Sequence, residues 1–176
     1  MRTLVLIGLP GCGKSTVGRS LARRLSVPFR DSDQLIEQRI GTSIRAFFEQ
    51  HGEAAFRDIE QQVLEDLAAA APCVLATGGG AVLREANRQS LRRAGQVIYL
   101  RASPEELWRR LRHDTQRPLL QVSDPQARLR ELHAQRDPLY RETADFTIDT
   151  GRPSVPTLVN MILMQLELAG VLPTGG

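Results

Sequence analysis

A parallel α/β fold, with a five-stranded sheet flanked by helices, is predicted by three observations. A short apolar strand pattern, Arg2 to Ile7, runs straight into a glycine-rich loop, Gly8 to Gly13. Short apolar runs then alternate with stretches of helical periodicity along the whole chain, as βαβ units require. Finally, 176 residues with 41% hydrophobic and 24% charged side chains fit one compact domain, residues 1–176. That composition argues against collagen-like, disulfide-scaffold and disordered classes.

After the loop, Val17, Leu21 and Leu25 recur at helical spacing and predict a helix over 14–25. A second strand ends near Asp31, followed by polar helical segments broken at Gly41 and Gly52. Phe56, Ile59, Val63 and Leu67 mark one face of a longer helix. Cys73 to Ala76 reads as a third strand, stopped by Gly78–Gly79–Gly80, and Gln96 to Leu100 as a fourth. Ser103–Pro104–Glu105–Glu106 is a helix start. The pattern dissolves around Arg117–Pro118–Leu119–Leu120, which predicts a lid over about 112–125 between two helices. Leu129 to Tyr140 reads as helix, Phe146 to Ile148 as the fifth strand, and Val155 to Leu168 as a closing helix.

The net charge of +3 is too mild to argue for nucleic acid, and no partner of that kind is expected. No apolar run approaches the roughly 20 residues of a membrane helix, and the apolar start is interrupted too early for a signal peptide. A cytoplasmic monomer with no membrane partner is the expectation. Cys12 and Cys73 form no metal spacing with each other or with the three His residues. Both read as free thiols, with Cys12 a candidate reactive one because a helix starts beside it.

Gly8–Leu9–Pro10–Gly11–Cys12–Gly13–Lys14–Ser15–Thr16 fits the pattern G-x-x-x-x-G-K-[ST], with a strand before it and a helix after it. Glycines let the backbone curl so that its N–H groups face phosphate oxygens, and the helix adds its positive end. Lysine reaches the β- and γ-phosphates, and the serine hydroxyl ligates Mg²⁺. Of the 23 basic residues 22 are arginine, and the single lysine falls at this position. The chain therefore reads as a nucleoside triphosphate binder through Gly11, Cys12, Gly13, Lys14, Ser15 and Thr16.

With Lys14 the only lysine, the guanine-reading N-K-x-D motif of GTPases cannot exist here. Protein-kinase H-R-D and D-F-G signatures are missing. The strand at Val74–Ala76 runs into glycines and not into the acidic residue of many motor and transport ATPases. Asp31–Ser32–Asp33 supplies carboxylates instead, with two readings open. One Asp holds a Mg²⁺ water while the other orients an attacking hydroxyl, or the pair caps a helix. If the backbone is extended there, the two side chains point to opposite faces. A P-loop, a lid and D-x-D together suggest a small-molecule kinase.

The chain resembles the shikimate kinase family over about residues 2–150. The resemblance rests on Gly8 to Thr16, Phe29 to Glu37, Gly52 to Arg57 with Glu60, Thr77 to Ala81, Arg117 to Leu120 and Arg136 to Tyr140. It implies a fold like that of nucleoside monophosphate kinases, with a helical substrate-binding region over about 32–60. It also implies transfer of the γ-phosphoryl of ATP to the 3-hydroxyl of shikimate, with one Mg²⁺ per subunit. By the same resemblance Ser15 ligates Mg²⁺, Asp31 holds it through water, and Asp33 binds the acceptor hydroxyls as base or orienting group. Arg57 and Arg136 clamp the carboxylate, Gly79 and Gly80 offer backbone N–H groups, and Arg117 reaches the transferred phosphate, joining Lys14 and Asp33 as catalytic residues. The likeness fades after Asp149, where Arg110 and Arg152 are the candidates to flank the adenine. Arg57 also lies within helical reach of Glu53 and Glu60, so a surface ion pair is its alternative role. A gluconate kinase and a non-catalytic ATP-binding regulator are the competing readings.

Overall fold

The computed structural model describes residues 1–113, 122–151 and 153–172. Five parallel strands form one sheet in the order β2-β3-β1-β4-β5. They are β1 (Thr3–Ile7), β2 (Phe29–Asp31), β3 (Val74–Ala76), β4 (Gly95–Arg101) and β5 (Phe146–Asp149). The helices are α1 (Lys14–Leu25), α2 (Ser32–Ile40), α3 (Ile44–Ala69), α4 (Glu85–Ala94), α5 (Pro104–Leu111), α6 (Pro125–Thr143) and α7 (Val155–Leu168). None among the described residues is long and apolar enough to cross a membrane.

β1 lies at the centre with β3 and β4 on its flanks, and Leu4 to Ile7 have no exposed surface. A strand covered on both faces must be apolar throughout, which is why this run does not alternate. From β1 the chain crosses through α1 to β2 on one side, and from β3 through α4 to β4 on the other. The strand order reverses beside β1, and at such a reversal the loops leaving the carboxyl ends of the strands part to form a crevice. The P-loop leaves β1 there, Asp31 ends β2, and Thr77–Gly80 leaves β3.

Helix starts follow local chemistry. Ser43, Ser103, Asp124 and Ser154 each accept from a backbone N–H in the first turn of α3, α5, α6 and α7. Such a cap is worth about 1 kcal/mol. Gly41 closes α2 with a left-handed φ of 72°, and Gly52, at φ 83°, kinks α3. The element α4 was not predicted from the sequence. Its stretch Glu85–Ala94 is polar, but α4 buries Asn87, Ser90 and Leu91. Two of those three are polar, so hydrophobic periodicity does not mark the buried face. Most of the expected lid, 112–125, lies outside the described residues.

Candidate active site

Residues 8–16 wrap around one end of a cavity of about 330 Å³, lined by Gly11, Gly13, Lys14, Ser15, Asp31, Asp33, Thr77, Gly78 and Gly79 among others. Gly11 and Gly13 hold φ at 88° and 96°, a left-handed conformation that side-chain-bearing residues rarely adopt. These turns bring the loop to the amino end of α1. Lys14 Nζ donates to the Gly8 and Leu9 carbonyls and lies 3.7 Å from Cys12 Sγ. Cys12 is 2% exposed and packs in the hydrophobic core. The thiol singled out as reactive is thus inside the protein, where an oxidant has little access to it.

Asp31 caps α2 with one oxygen and turns the other toward the phosphate loop. Its Oδ1 accepts from the N–H groups of Asp33 (2.9 Å) and Gln34 (3.3 Å), capping α2, while Oδ2 accepts from Ser15 Oγ at 3.2 Å. Two hard oxygen donors therefore meet at the mouth of the phosphate loop. Among the described residues no group of three or more His, Cys, Asp or Glu gathers as a metal cage. Mg²⁺ does not need one, since it keeps waters and takes substrate phosphates as ligands. The site chemistry fits that ion.

The expectation that Asp31 and Asp33 diverge to opposite faces fails, for a simple reason. The strand stops at Asp31, which caps the helix beginning at Ser32, so the pleat that would set the two carboxylates on opposite faces does not continue to Asp33. Both line the same cavity. A Cβ on Gly78 would lie 2.5 Å from Asp33 Oδ1, so only glycine admits the carboxylate here. Ser32, fully buried, accepts from the Gly78 N–H at 3.2 Å and ties α2 to the triple glycine. Burial, reinforced by Asp31 and Glu60, pushes the Asp33 carboxyl from 3.8 up to about 6 against the pull of Lys14.

Arg57 pairs with Glu60 at 2.8 Å and with Glu53 at 3.5 Å, so the ion pairs offered as its alternative role both form. The pair with Glu60 is not a surface feature, with Arg57 12% exposed and Glu60 1%, whereas Glu53 is 63% exposed. Burial pushes the Glu60 carboxyl up, while Arg57 pulls it down. A charge this deep is tolerated only with a partner, so Glu60 holds the guanidinium in one place. Arg57 lies against Gly80, where a Cβ would come within 2.3 Å of its Nη2. Arg136 reaches Gly79 in the same way, with Nη1 3.3 Å from the place of a Cβ. Two arginines from α3 and α6 thus converge on the triple glycine. Among the described residues the N–H groups of Gly79 and Gly80 take no internal hydrogen bond, whereas those of Gly78 and Ala81 do. Guanidinium forks and spare N–H groups beside a carboxylate make a receptor for a small polyhydroxylated anion.

Arg110 donates to the Gly11 carbonyl at 3.0 Å and the Thr150 carbonyl at 2.8 Å, bracing the P-loop against the segment after β5. Arg117 and Arg152, predicted for phosphate and adenine, lie outside the described residues. Sequence reasoning passed over Ser32, although it stands between the two aspartates, and Thr77, whose hydroxyl donates to the Leu6 carbonyl at 3.0 Å at the cavity wall.

The comparisons with known proteins agree with this geometry. Residues 10–167 match the sequence model of the family described as shikimate kinase. A shikimate kinase of Paracidovorax citrulli is 63% identical over 171 residues, which is 96% of this chain and 93% of that protein. The solved shikimate kinase of Acinetobacter baumannii, in complex with shikimate, superposes with a TM-score of 0.92 at 44% identity, covering 98% of this chain and 96% of that one. A gluconokinase from Sinorhizobium meliloti reaches a TM-score of 0.58 at 19% identity, covering 96% and 93%. At that identity the likeness is one of fold. On sequence, architecture and the build of its cavity, the chain belongs to the shikimate kinase family.

Proposed function

We propose that the chain transfers the γ-phosphoryl group of ATP to the 3-hydroxyl of shikimate, giving shikimate 3-phosphate and ADP on the route to chorismate and the aromatic amino acids. We place it in the cytoplasm, acting as a monomer. The observation that carries this reading is the single cavity in which Asp33 stands between the phosphate loop and the glycines flanked by Arg57 and Arg136.

In this reading the main-chain N–H groups of Gly11 to Thr16 cradle the phosphates and Lys14 turns from the loop carbonyls to the β- and γ-oxygens. Ser15 and Asp31 hold Mg²⁺, directly and through water, and the ion supplies charge neutralisation between the phosphates. Arg57 and Arg136 grip the acceptor carboxylate, and the Gly79 and Gly80 N–H groups with Asp33 fix its hydroxyls. Asp33 accepts the hydroxyl proton as the new oxygen–phosphorus bond forms and the bond to the β-phosphate oxygen breaks. A carboxyl held near 6 is a better proton acceptor than an ordinary one and is still mostly ionised at neutral pH. Arg117 pairs with the transferred phosphate. Arg110 and Arg152 flank the adenine.

The test is ADP release from purified protein with Mg·ATP and shikimate, quinate, gluconate or no acceptor. Strong stimulation by shikimate alone is expected. Stimulation by gluconate instead would overturn the acceptor assignment. No response to any acceptor from folded, ATP-binding protein would mark a regulator that keeps the fold.

A further inference from the structure

Tyr140 lies on α6 one helical turn after Arg136, so the two side chains share a face. It has no exposed surface, and its ring packs on Tyr99 with centroids 4.9 Å apart. Tyr99 is itself fixed, because its hydroxyl donates to Asp137 Oδ1 at 2.7 Å. Asp137 also accepts from Arg141 at 2.8 Å and from Arg101 at 3.3 Å. The Tyr140 hydroxyl, on a ring held in this way, donates to the Gly79 carbonyl and lies beside the Arg136 guanidinium.

That carbonyl belongs to the peptide unit that joins Gly79 to Gly80. In a trans peptide the C=O and the following N–H point in opposite directions from one rigid plane. Holding the Gly79 oxygen toward the buried hydroxyl turns the Gly80 N–H the other way. Glycine on both sides of the unit removes the side-chain barriers that would otherwise fix its plane. Of the two orientations open to this peptide plane, only one presents the N–H for which Gly80 has no internal partner among the described residues.

We propose that Tyr140 is a positioning residue that locks the Gly79–Gly80 peptide plane so that the Gly80 N–H faces the acceptor. This deepens the proposed function and rests on that reading of the acceptor site. The hydroxyl acts through the glycine peptide and through Arg136, which it also meets, and not by contact with the acceptor. Pro10 of the phosphate loop packs beside Gly79 as well.

Tyr140→Phe keeps the ring and removes the lock. With shikimate varied at saturating Mg·ATP, KM for shikimate should rise about three- to tenfold, as expected for a donor lost from a buried carbonyl. The turnover number should stay within about twofold and KM for ATP should not move. Tyr140→Met, which fills the space without a hydroxyl, should show the same split. An unchanged shikimate KM in folded Tyr140→Phe overturns the proposal, and so does a parallel change in both KM values. Failure of both variants to fold would assign the hydroxyl to the fold and equally overturn it. Lack of shikimate phosphorylation by the unaltered protein would instead overturn the acceptor reading itself.

Discussion

Gly8 to Thr16 supplies one wall of the cavity from nine consecutive residues, and its working groups are main-chain N–H donors with one lysine. The facing wall takes Asp33 from α2 and Gly78–Gly79 from the turn after β3, with Arg57 from α3 and Arg136 from α6 lying against Gly80 and Gly79. In the proposed reaction the first wall binds phosphate, a group that every nucleotide shares, and a fixed backbone shape is enough. On the same proposal the second distinguishes one small anion from others, which takes side chains placed from several directions. Damage to the acceptor wall should therefore separate the two substrates.

Asp33→Asn should break that symmetry most. Turnover should fall about a thousandfold, within the range for loss of a general base, while ATP affinity stays within about twofold. The unaltered enzyme should show an acid limb in kcat/KM near 6, where the Asp33 carboxyl is held in the free protein. The same substitution should stabilise the fold, with a predictable sign. The folded state binds this proton more tightly than the unfolded chain, whose carboxyl has the ordinary 3.8. Stability is thus lost as pH rises from about 4 through 6, and the deficit is complete above that. Asparagine removes it, so melting temperature should rise at pH 8 far more than at pH 4, by the equivalent of about 3 kcal/mol. A stability gain equal at both pH values would show that ionisation of Asp33 is not what strains the fold.

The two walls also differ in how far the sequence alone discloses them. The P-loop is legible because its chemistry is local: spacing, flanking strand and following helix are all within one short window. The acceptor wall is not, because nothing local in Arg57 separates a clamp from an ion pair with Glu53 or Glu60. Only the order of motifs that resembles the shikimate kinases points to it. The role of Glu60 depends on its being 1% exposed, and that of Ser32 on a 3.2 Å contact with a glycine 46 positions away. The relation of Asp31 to Asp33 is hidden for a related reason: alternation to opposite faces holds only while the strand continues, and the strand ends at Asp31.

Arg136→Lys tests the acceptor wall more gently. An ammonium keeps the charge but loses the planar fork, so the acceptor carboxylate keeps attraction and loses bidentate geometry. KM for shikimate should rise about tenfold, a loss of roughly 1.4 kcal/mol, with KM for ATP unchanged. Equal rises in both would mean that Arg136 bridges the walls.

Cys12→Ala asks the complementary question of the phosphate wall and should have the smallest effect on catalysis. The thiol is buried, 3.7 Å from Lys14 Nζ, and a Cβ placed on Gly8 would lie 2.8 Å from its sulfur, so the loop closes tightly around it. Removing the sulfur leaves a small void and should cost about 1 kcal/mol of stability. If the wall works through its backbone, that void lowers the melting temperature and leaves both KM values within about twofold. A rise in KM for ATP alone would show that the side chain inside the loop sets the positions of the N–H groups. The phosphate wall would then depend on side-chain packing much as the acceptor wall does, and its readability from sequence would be a property of the motif and not of the mechanism.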